Sequence, residues 1–314
     1  MNNKNRHPAD GKKPITIFGP DFPFAFDDWL EHPAGLGSIP AALLALCEAG
    51  EPILVERYTA PGIKAAARQL RLPLHGVAMD ERGILPDDLD RLARATGARV
   101  AVLTPCLQNP TGASLDAERR TAIAEVARRR GLWIVEDDVY GVLGSEAPLA
   151  VQLAERCLLI SSLSKSVAPG LRLGFIAGAP ELLERIDPEA QATRWAVTPL
   201  SLALACEWIE SSIADQRLAW QIGELQQRWR LAARVLGPRM PQGRAVAPHL
   251  WLDGEPPAGL AEACRQHGVE VVPAEVFAVE ASPGNAVRVS LAAAASRVEL
   301  KRALEGIVAA WPIS

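Results

Sequence analysis

The stretch 160–175 reads ISSLSKSVAPGLRLGF. It sets one ammonium group, Lys165, among serines directly after an apolar run, with Arg172 following. Two other short stretches carry comparable chemistry: TPCLQNPTGAS presents Asn109, and EDDVYG presents Asp137 and Tyr140. A lysine amine can form a Schiff base with an aldehyde. A carboxylate facing a pyridine nitrogen keeps that nitrogen protonated, because a nearby opposite charge favours the charged form. Asn109 and Tyr140 can hydrogen-bond a ring oxygen. Ser162, Ser164 and Arg172 can hold a phosphate, the arginine through a charge-assisted fork.

These types together fit pyridoxal 5′-phosphate, an aldehyde on a protonatable ring with a phosphate arm. Singly, each is ordinary. A solvated lysine is common, an Asp pair often starts a helix, and NPTG is a good turn sequence. Their order and placement are what count, so the elements that carry them matter. Ile53–Val55, Val100–Leu103, Leu132–Val135, Leu158–Ile160 and Phe175–Ala177 are short, continuously apolar and bounded by Gly, Pro or charge. Such runs suit strands buried on both faces of a mostly parallel sheet. Between two of them, SLDAERRTAIAEVARRRG reads as a helix with arginines in its last turn and Gly131 as its cap. The unit is βαβ. Loops at the carboxyl ends of parallel strands converge on one crevice, which would bring Asn109, Asp137, Tyr140 and Lys165 together.

After Pro199 the pattern changes to two long helices, 201–213 and 216–236, carrying Trp208, Trp220 and Trp229 as core or interface residues. HLWLDG, VEVVPAEVF and AVRVSLA then read as short strands, with LAEACRQHG as a helix between the first two. SRVELKRALEGIVAAW closes the chain as a helix whose Ser296 and Glu299 have capping-box spacing. The expected division is an N-terminal segment 1–34, a large α/β domain 35–218 and a small α+β domain 219–314.

Composition narrows the function classes. The chain has 314 residues, 49% of them hydrophobic, and a formal net charge of −4, which offers no footprint for nucleic acid. No apolar run is long enough for a membrane span, and the polar start is unlike a secretory signal. Five scattered cysteines suggest reduced thiols in a cytoplasmic protein, and neither they nor the five histidines show metal-ligand spacing.

The order NPTG, DDVY, SLSKxxxPGLRLGF resembles the class I/II aminotransferases of fold type I. It is most similar to the aminotransferase-like domains of MocR-type regulators and to the kynurenine/2-aminoadipate aminotransferases. The resemblance runs from about Gly50 to the C-terminus. It implies a homodimeric pyridoxal phosphate enzyme acting on an α-amino acid and a 2-oxo acid. Lys165 would carry the cofactor, Asp137 would face the ring nitrogen, and Asn109 and Tyr140 would address the ring oxygen. Ser162, Ser164 and Arg172 would take the phosphate. Arg288, in NAVRVSLA, matches the late arginine that binds the substrate α-carboxylate, with Asn109 beside it.

Two departures accompany the match. The phosphate turn corresponds to HPAGLGSIP, where Gly35, Gly37 and Ser38 can serve but the usual polar side chain near Leu36 is missing. Its GLGSIP also grazes a dinucleotide-binding fingerprint, with Pro40 in place of the third glycine. The aromatic ring expected before the PG of ERYTAPG is Ala60, leaving Tyr58, two places earlier, as the ring to pack on the cofactor. The portion before the phosphate turn is shorter than in the family, and no winged-helix module is present. The alternatives are therefore a shortened binding or sensor module that holds a ligand without turnover, or another reaction of the same cofactor such as elimination or decarboxylation.

Overall fold

Seven strands form the main sheet of the computed structural model, which describes residues 33–34, 38–187, 197–281 and 284–311. In chain order these and the short hairpin beside them are β1 (Pro33–Ala34), β2 (Ile53–Glu56), β3 (Leu74–Val77), β4 (Met79–Asp80), β5 (Gly83–Ile84), β6 (Val100–Leu103), β7 (Trp133–Asp137), β8 (Cys157–Ser162) and β9 (Gly174–Ala177). The sheet order is β1-β9-β8-β7-β6-β2-β3, while β4 and β5 pair with each other. From β8 to β3 every neighbouring pair is parallel, and only β9 runs against its two neighbours.

The continuous apolar runs reflect a sheet covered on both faces. Leu54, Ala101, Ile134 and Leu159 pack into one core layer, whereas Val55, Val102, Val135 and Ile160 pack into the other. Helices α1 (Ser38–Leu46) and α2 (Pro61–Leu70) close the second layer through Leu43 and Ile63. Helices α3 (Pro86–Thr96) and α4 (Ala117–Arg130) close the first through Leu89 and Ile123. Burial of such side chains, each stabilising by about 1.5–3 kcal/mol, holds the layers together.

Farther along come α5 (Pro180–Leu183), α6 (Pro199–Glu210) and the long α7 (Ile213–Leu236). A second sheet of β10 (His249–Leu252), β11 (Val272–Pro273) and β12 (Val287–Ser290) has the order β10-β12-β11, all antiparallel. It shares a core with α8 (Leu260–Gln266) and α9 (Arg297–Ala310). Helix α7 joins the two bodies: Ala214 packs in the core of the large sheet and Leu225 in that of the small one. It runs unbroken across residue 218, where the sequence puts the division. Among the described residues no helix is long and apolar enough to cross a membrane, and all five cysteines are free thiols.

Helix ends follow their sequence signals. Ser296 accepts the Glu299 N–H at 3.2 Å, but the Glu299 carboxylate turns back to the Ala295 N–H at 3.0 Å instead of to Ser296. At α4, Gly131 takes the left-handed conformation (φ 68°), and the Leu132 N–H closes on the Ala127 carbonyl. At the other end, Asp116 caps the helix by accepting the Arg119 N–H at 2.9 Å and pairs with Arg82 at 2.6 Å. Asp116→Ala is therefore expected to lower stability by about 1–2 kcal/mol, the cap contributing most and the exposed ion pair little. The shift in the urea midpoint measures it, and an unchanged midpoint would show that the cap contributes nothing.

Candidate active site

Three acidic residues in a row, Glu136, Asp137 and Asp138, lie buried at the carboxyl end of β7, and each meets the cost of leaving water differently. Glu136 accepts the N–H groups of Leu149 and Ala150 at 2.7 and 2.8 Å, so its charge is held by the backbone of the following turn. Asp138 sits under Gly141, where an added Cβ would collide with its carboxylate, so only glycine allows the turn. Burial raises the pKa of both Glu136 and Asp138 above the usual carboxylate range, and the buried Arg120 works against that rise. Asp137 is the one that faces a cavity. Its Oδ1 is buried with no hydrogen-bond partner. Burial pushes its carboxyl up to about 6, against the Val139 N–H and the Lys165 ammonium, which favour the charged form.

That cavity, about 210 Å³, lies at the strand ends of β7, β8 and β9 and against the start of α1. Ser38, Asp137, Ser162, Ser164, Lys165 and Arg172 line it. The Ser162 hydroxyl donates to the Leu173 carbonyl at 2.9 Å and accepts the Ser164 N–H at 3.0 Å, which ties the two arms of the β8–β9 connection together. Its proton is thus used within the loop. Ser164 and Arg172 line the same cavity together with Ser38 at the start of α1, and their groups are of the kinds that can meet an anion. Arg172 is left-handed at φ 50°, a conformation costing a non-glycine residue about 1–2 kcal/mol.

A second cavity of about 560 Å³ shares Ser164 and Lys165 with the first. Asn109, Tyr140, His249 and Arg288 are among its lining residues. Lys165 Nζ stands 5.7 Å from the centroid of the Tyr140 ring, whose other neighbour is the His249 ring at 5.6 Å. Arg288, on β12, donates through Nη1 to Asn109 Oδ1 at 2.8 Å, its guanidinium lies 5.1 Å from the Phe277 ring centre, and its buried Nε has no partner. Desolvation first, then repulsion from Arg172 and Arg288, lowers the Lys165 pKa, while Asp137 opposes it. The result is an amine closer to its neutral, nucleophilic form. Burial likewise raises the Tyr140 phenol.

The structure thus gathers Ser38, Asn109, Asp137, Tyr140, Ser162, Ser164, Lys165, Arg172 and Arg288 around two joined cavities. Tyr58 is not among the lining residues; its ring packs on Trp251 at 5.2 Å. Gly35 and Gly37 lie outside the described residues. Two buried polar residues carried no motif in the sequence: His249, which lines the larger cavity, and Glu56, which lies outside both linings but feels the charge of Asp137. Glu56, at the end of β2, is buried, accepts the Thr104 N–H at 2.5 Å, and is pushed up to about 8 by burial. His249 opens β10 and contacts the Gln108 carbonyl through Nε2 at 2.9 Å. Burial pushes its pKa down to about 4, so the ring is neutral at ordinary pH, Nε2 is the donor and Nδ1 carries no proton. Only a strand-opening HLWL, one polar residue before an apolar run, hinted at it.

Residues 32–307 match the family described as Aminotransferase class I and II. An uncharacterized HTH-type transcriptional regulator of Bacillus subtilis, YdeF, is 29% identical over 90% of this chain and 63% of its own length. The chain spans less than two thirds of the curated relatives it first matches. Among solved structures, an archaeal alanine:glyoxylate aminotransferase superposes with a TM-score of 0.81 at 22% identity, over 88% of this chain and 73% of that one. LysN, the alpha-aminoadipate aminotransferase of Thermus thermophilus complexed with N-(5′-phosphopyridoxyl)-L-leucine, gives 0.78 at 23% identity, over 88% and 76%.

Asp137 binds its proton more tightly in the folded protein than in the unfolded chain, so ionising it weighs against folding. The penalty begins above the unfolded value of about 4 and grows until the folded value near 6 is passed. Asp137→Asn in the ligand-free protein should therefore match wild type near pH 4 and exceed it above pH 6. The gap should reach up to roughly 3 kcal/mol, at about 1.4 kcal/mol per unit. Urea unfolding across this range tests it, and a gap independent of pH would refute the assignment.

Proposed function

Since the chain belongs to the class I and II aminotransferase family, we propose that it moves the amino group of an α-amino acid to a 2-oxo acid, using pyridoxal 5′-phosphate. The observation that carries this reading is the pairing of a buried, unsatisfied Asp137 oxygen with a pKa-lowered lysine across one small cavity. An acceptor buried without a partner is costly, and a protonated ring nitrogen is the partner its position suits. When bound, the cofactor supplies an electron sink for the charge that develops at the substrate Cα.

The chain's own residues do the rest. Lys165 would hold the cofactor by its aldehyde carbon, and its amine would take and return the substrate Cα proton as general base and acid. Asp137 holds the proton on the ring nitrogen. The Tyr140 hydroxyl and the Asn109 amide, whose oxygen is already engaged by Arg288, donate to the ring oxygen. Ser164, Arg172 and the α1 terminus at Ser38 hold the phosphate, with Ser162 fixing the loop. Arg288, steadied by Asn109, grips the α-carboxylate. In this reading the unit up to residue 218 binds the cofactor and the unit from 219 supplies the substrate grip.

Homodimerisation and a cytoplasmic setting complete the proposal. Leu200, Leu204 and Ile213 are exposed on α6 and α7 and offer an apolar face to a second copy, and the free thiols suit a reducing compartment. Sedimentation should find a dimer at micromolar concentration that Leu200→Asp weakens; a monomer would count against it.

The activity test is incubation of the cofactor-loaded protein with a panel of α-amino acids and 2-oxo acids, followed by chromatography of both products. Lys165→Ala should abolish turnover and also the borohydride-stable attachment of the cofactor. Arg288→Gln should raise KM for the amino acid about ten- to a hundredfold, the loss of one charge-assisted fork, with cofactor affinity little changed. No exchange with any pair, despite bound cofactor, would refute amino-group transfer.

A further inference from the structure

The small sheet turns one face to the larger cavity. In the β10–β12 pair His249 lies opposite Ser290, and Trp251 lies opposite Arg288. Opposite residues of an antiparallel pair share a face, as do alternate residues along one strand. His249, Ser290 and Arg288 therefore stand side by side, and all three line the cavity. One loop anchors two of them through adjacent residues. His249 Nε2 meets the Gln108 carbonyl at 2.9 Å, and Arg288 Nη1 meets Asn109 Oδ1 at 2.8 Å. The imidazole thus sits beside the guanidinium to which the substrate α-carboxylate is assigned.

The state of that imidazole follows from its contacts. A carbonyl only accepts, so Nε2 carries the ring hydrogen, and burial with Arg288 and Lys165 nearby keeps the ring neutral. Nδ1 is then a pure acceptor. It makes no hydrogen bond among the described residues, and it is not one of the sealed side-chain atoms that lack a partner, so it opens to the cavity. The Ser290 hydroxyl, able to donate and to accept, is open in the same way. The cations Arg217 and Arg228 come from α7, not from this sheet. Arg228 pairs with Glu224 at 2.8 Å, and the Arg217 guanidinium lies 4.3 Å from the Trp220 ring centre. Next to Arg288 the wall is polar but uncharged.

Such a wall selects by hydrogen bonding. A carboxylate against Nδ1 would set acceptor against acceptor, and an ammonium would be repelled by Lys165 and Arg288. An apolar group would leave Nδ1 stripped of water with no partner. We propose that His249 and Ser290 form a side-chain subsite for an uncharged hydrogen-bond donor, so that the favoured substrate is an α-amino acid bearing a carboxamide or a hydroxyl. The donor meets His249 Nδ1, and a carboxamide oxygen accepts from Ser290. This rests on the amino-transfer reading for the fate of the amino group alone.

Calorimetry on the cofactor-loaded full chain tests it with glutaramate, 4-hydroxybutyrate, pentanoate and glutarate, none of which has an α-amino or 2-oxo group to react. Wild type should bind glutaramate and 4-hydroxybutyrate about three- to tenfold tighter than pentanoate, the worth of a neutral hydrogen bond. His249→Phe should bring both to the pentanoate level. Because that change also removes the donor to Gln108, Ser290→Ala is the second variant; it should weaken glutaramate and leave pentanoate unchanged. The subsite is overturned if pentanoate binds as tightly as glutaramate, if glutarate binds tightest, if none of the four binds, or if both variants hold glutaramate as wild type does. A protein that passes yet transfers no amino group would overturn the proposed activity and leave the subsite standing. One that transfers amino groups yet fails would lose the subsite alone.

Discussion

A carboxylate held out of water at the end of β7 is the constraint that most of the site answers to. The interior cannot accept three adjacent charges without help, and each neighbour takes a share. The turn 149–151 is aimed so that two of its N–H groups meet Glu136. Arg120 is drawn in beside Glu136 and Asp138, and Gly141 makes room for Asp138. Asp137 is left with one N–H and the distant Lys165 ammonium, which keeps its charge costly until a cation arrives. The environment is therefore better suited to a ligand-bound state than to an empty one, which is how a binding site stores the means of its own specificity.

The loop 108–113 is where the two sheets meet. Gln108 Nε2 donates to the Tyr58 carbonyl and its Oε1 accepts from Thr111, while the Gln108 carbonyl faces His249. Asn109 holds Arg288, and Arg244 donates to the Thr111 carbonyl at 3.0 Å. Contacts from the small sheet thus land on one short loop of the large one. Whatever the small body contributes to substrate binding is referenced to that loop, and His249 is buried there as a neutral linker with no charge to compensate.

Much of this was legible because it is local. The run Val100–Leu103 is apolar at every position, and both faces of β6 are covered. Strand β3 was not, since LHGV places His75 and Gly76 in a half-buried edge strand with no apolar rhythm. VEVVPAEVF yields only two strand residues because the chain turns at Ala274–Val276. In the site, Asn109, Asp137, Tyr140 and Lys165 could be read from strand-end loops, since parallel topology alone makes those loops converge. Glu56, His249 and Arg217 could not. Each looks like a common polar residue until its tertiary neighbours are known. Tyr58 marks the converse: adjacency in sequence to the expected position did not put its ring in either cavity, because Trp251 from the other sheet takes it.

The antiparallel return of β9 has a consequence for how the site ages. Lys165 and Arg172 sit on one hairpin whose arms are tied by the Ser162 hydroxyl and by the pairing of Ser162 with Gly174. The separation between amine and guanidinium is therefore a property of one short contiguous segment. A core substitution that displaces β8 carries both groups along as a rigid cassette. Drift in the surrounding sequence can tilt the cassette against Asp137 or Arg288, but it cannot easily stretch it. Divergent chains that keep this hairpin inherit a fixed ruler between the amine and the guanidinium, and selection is left to tune only what the ruler is pointed at.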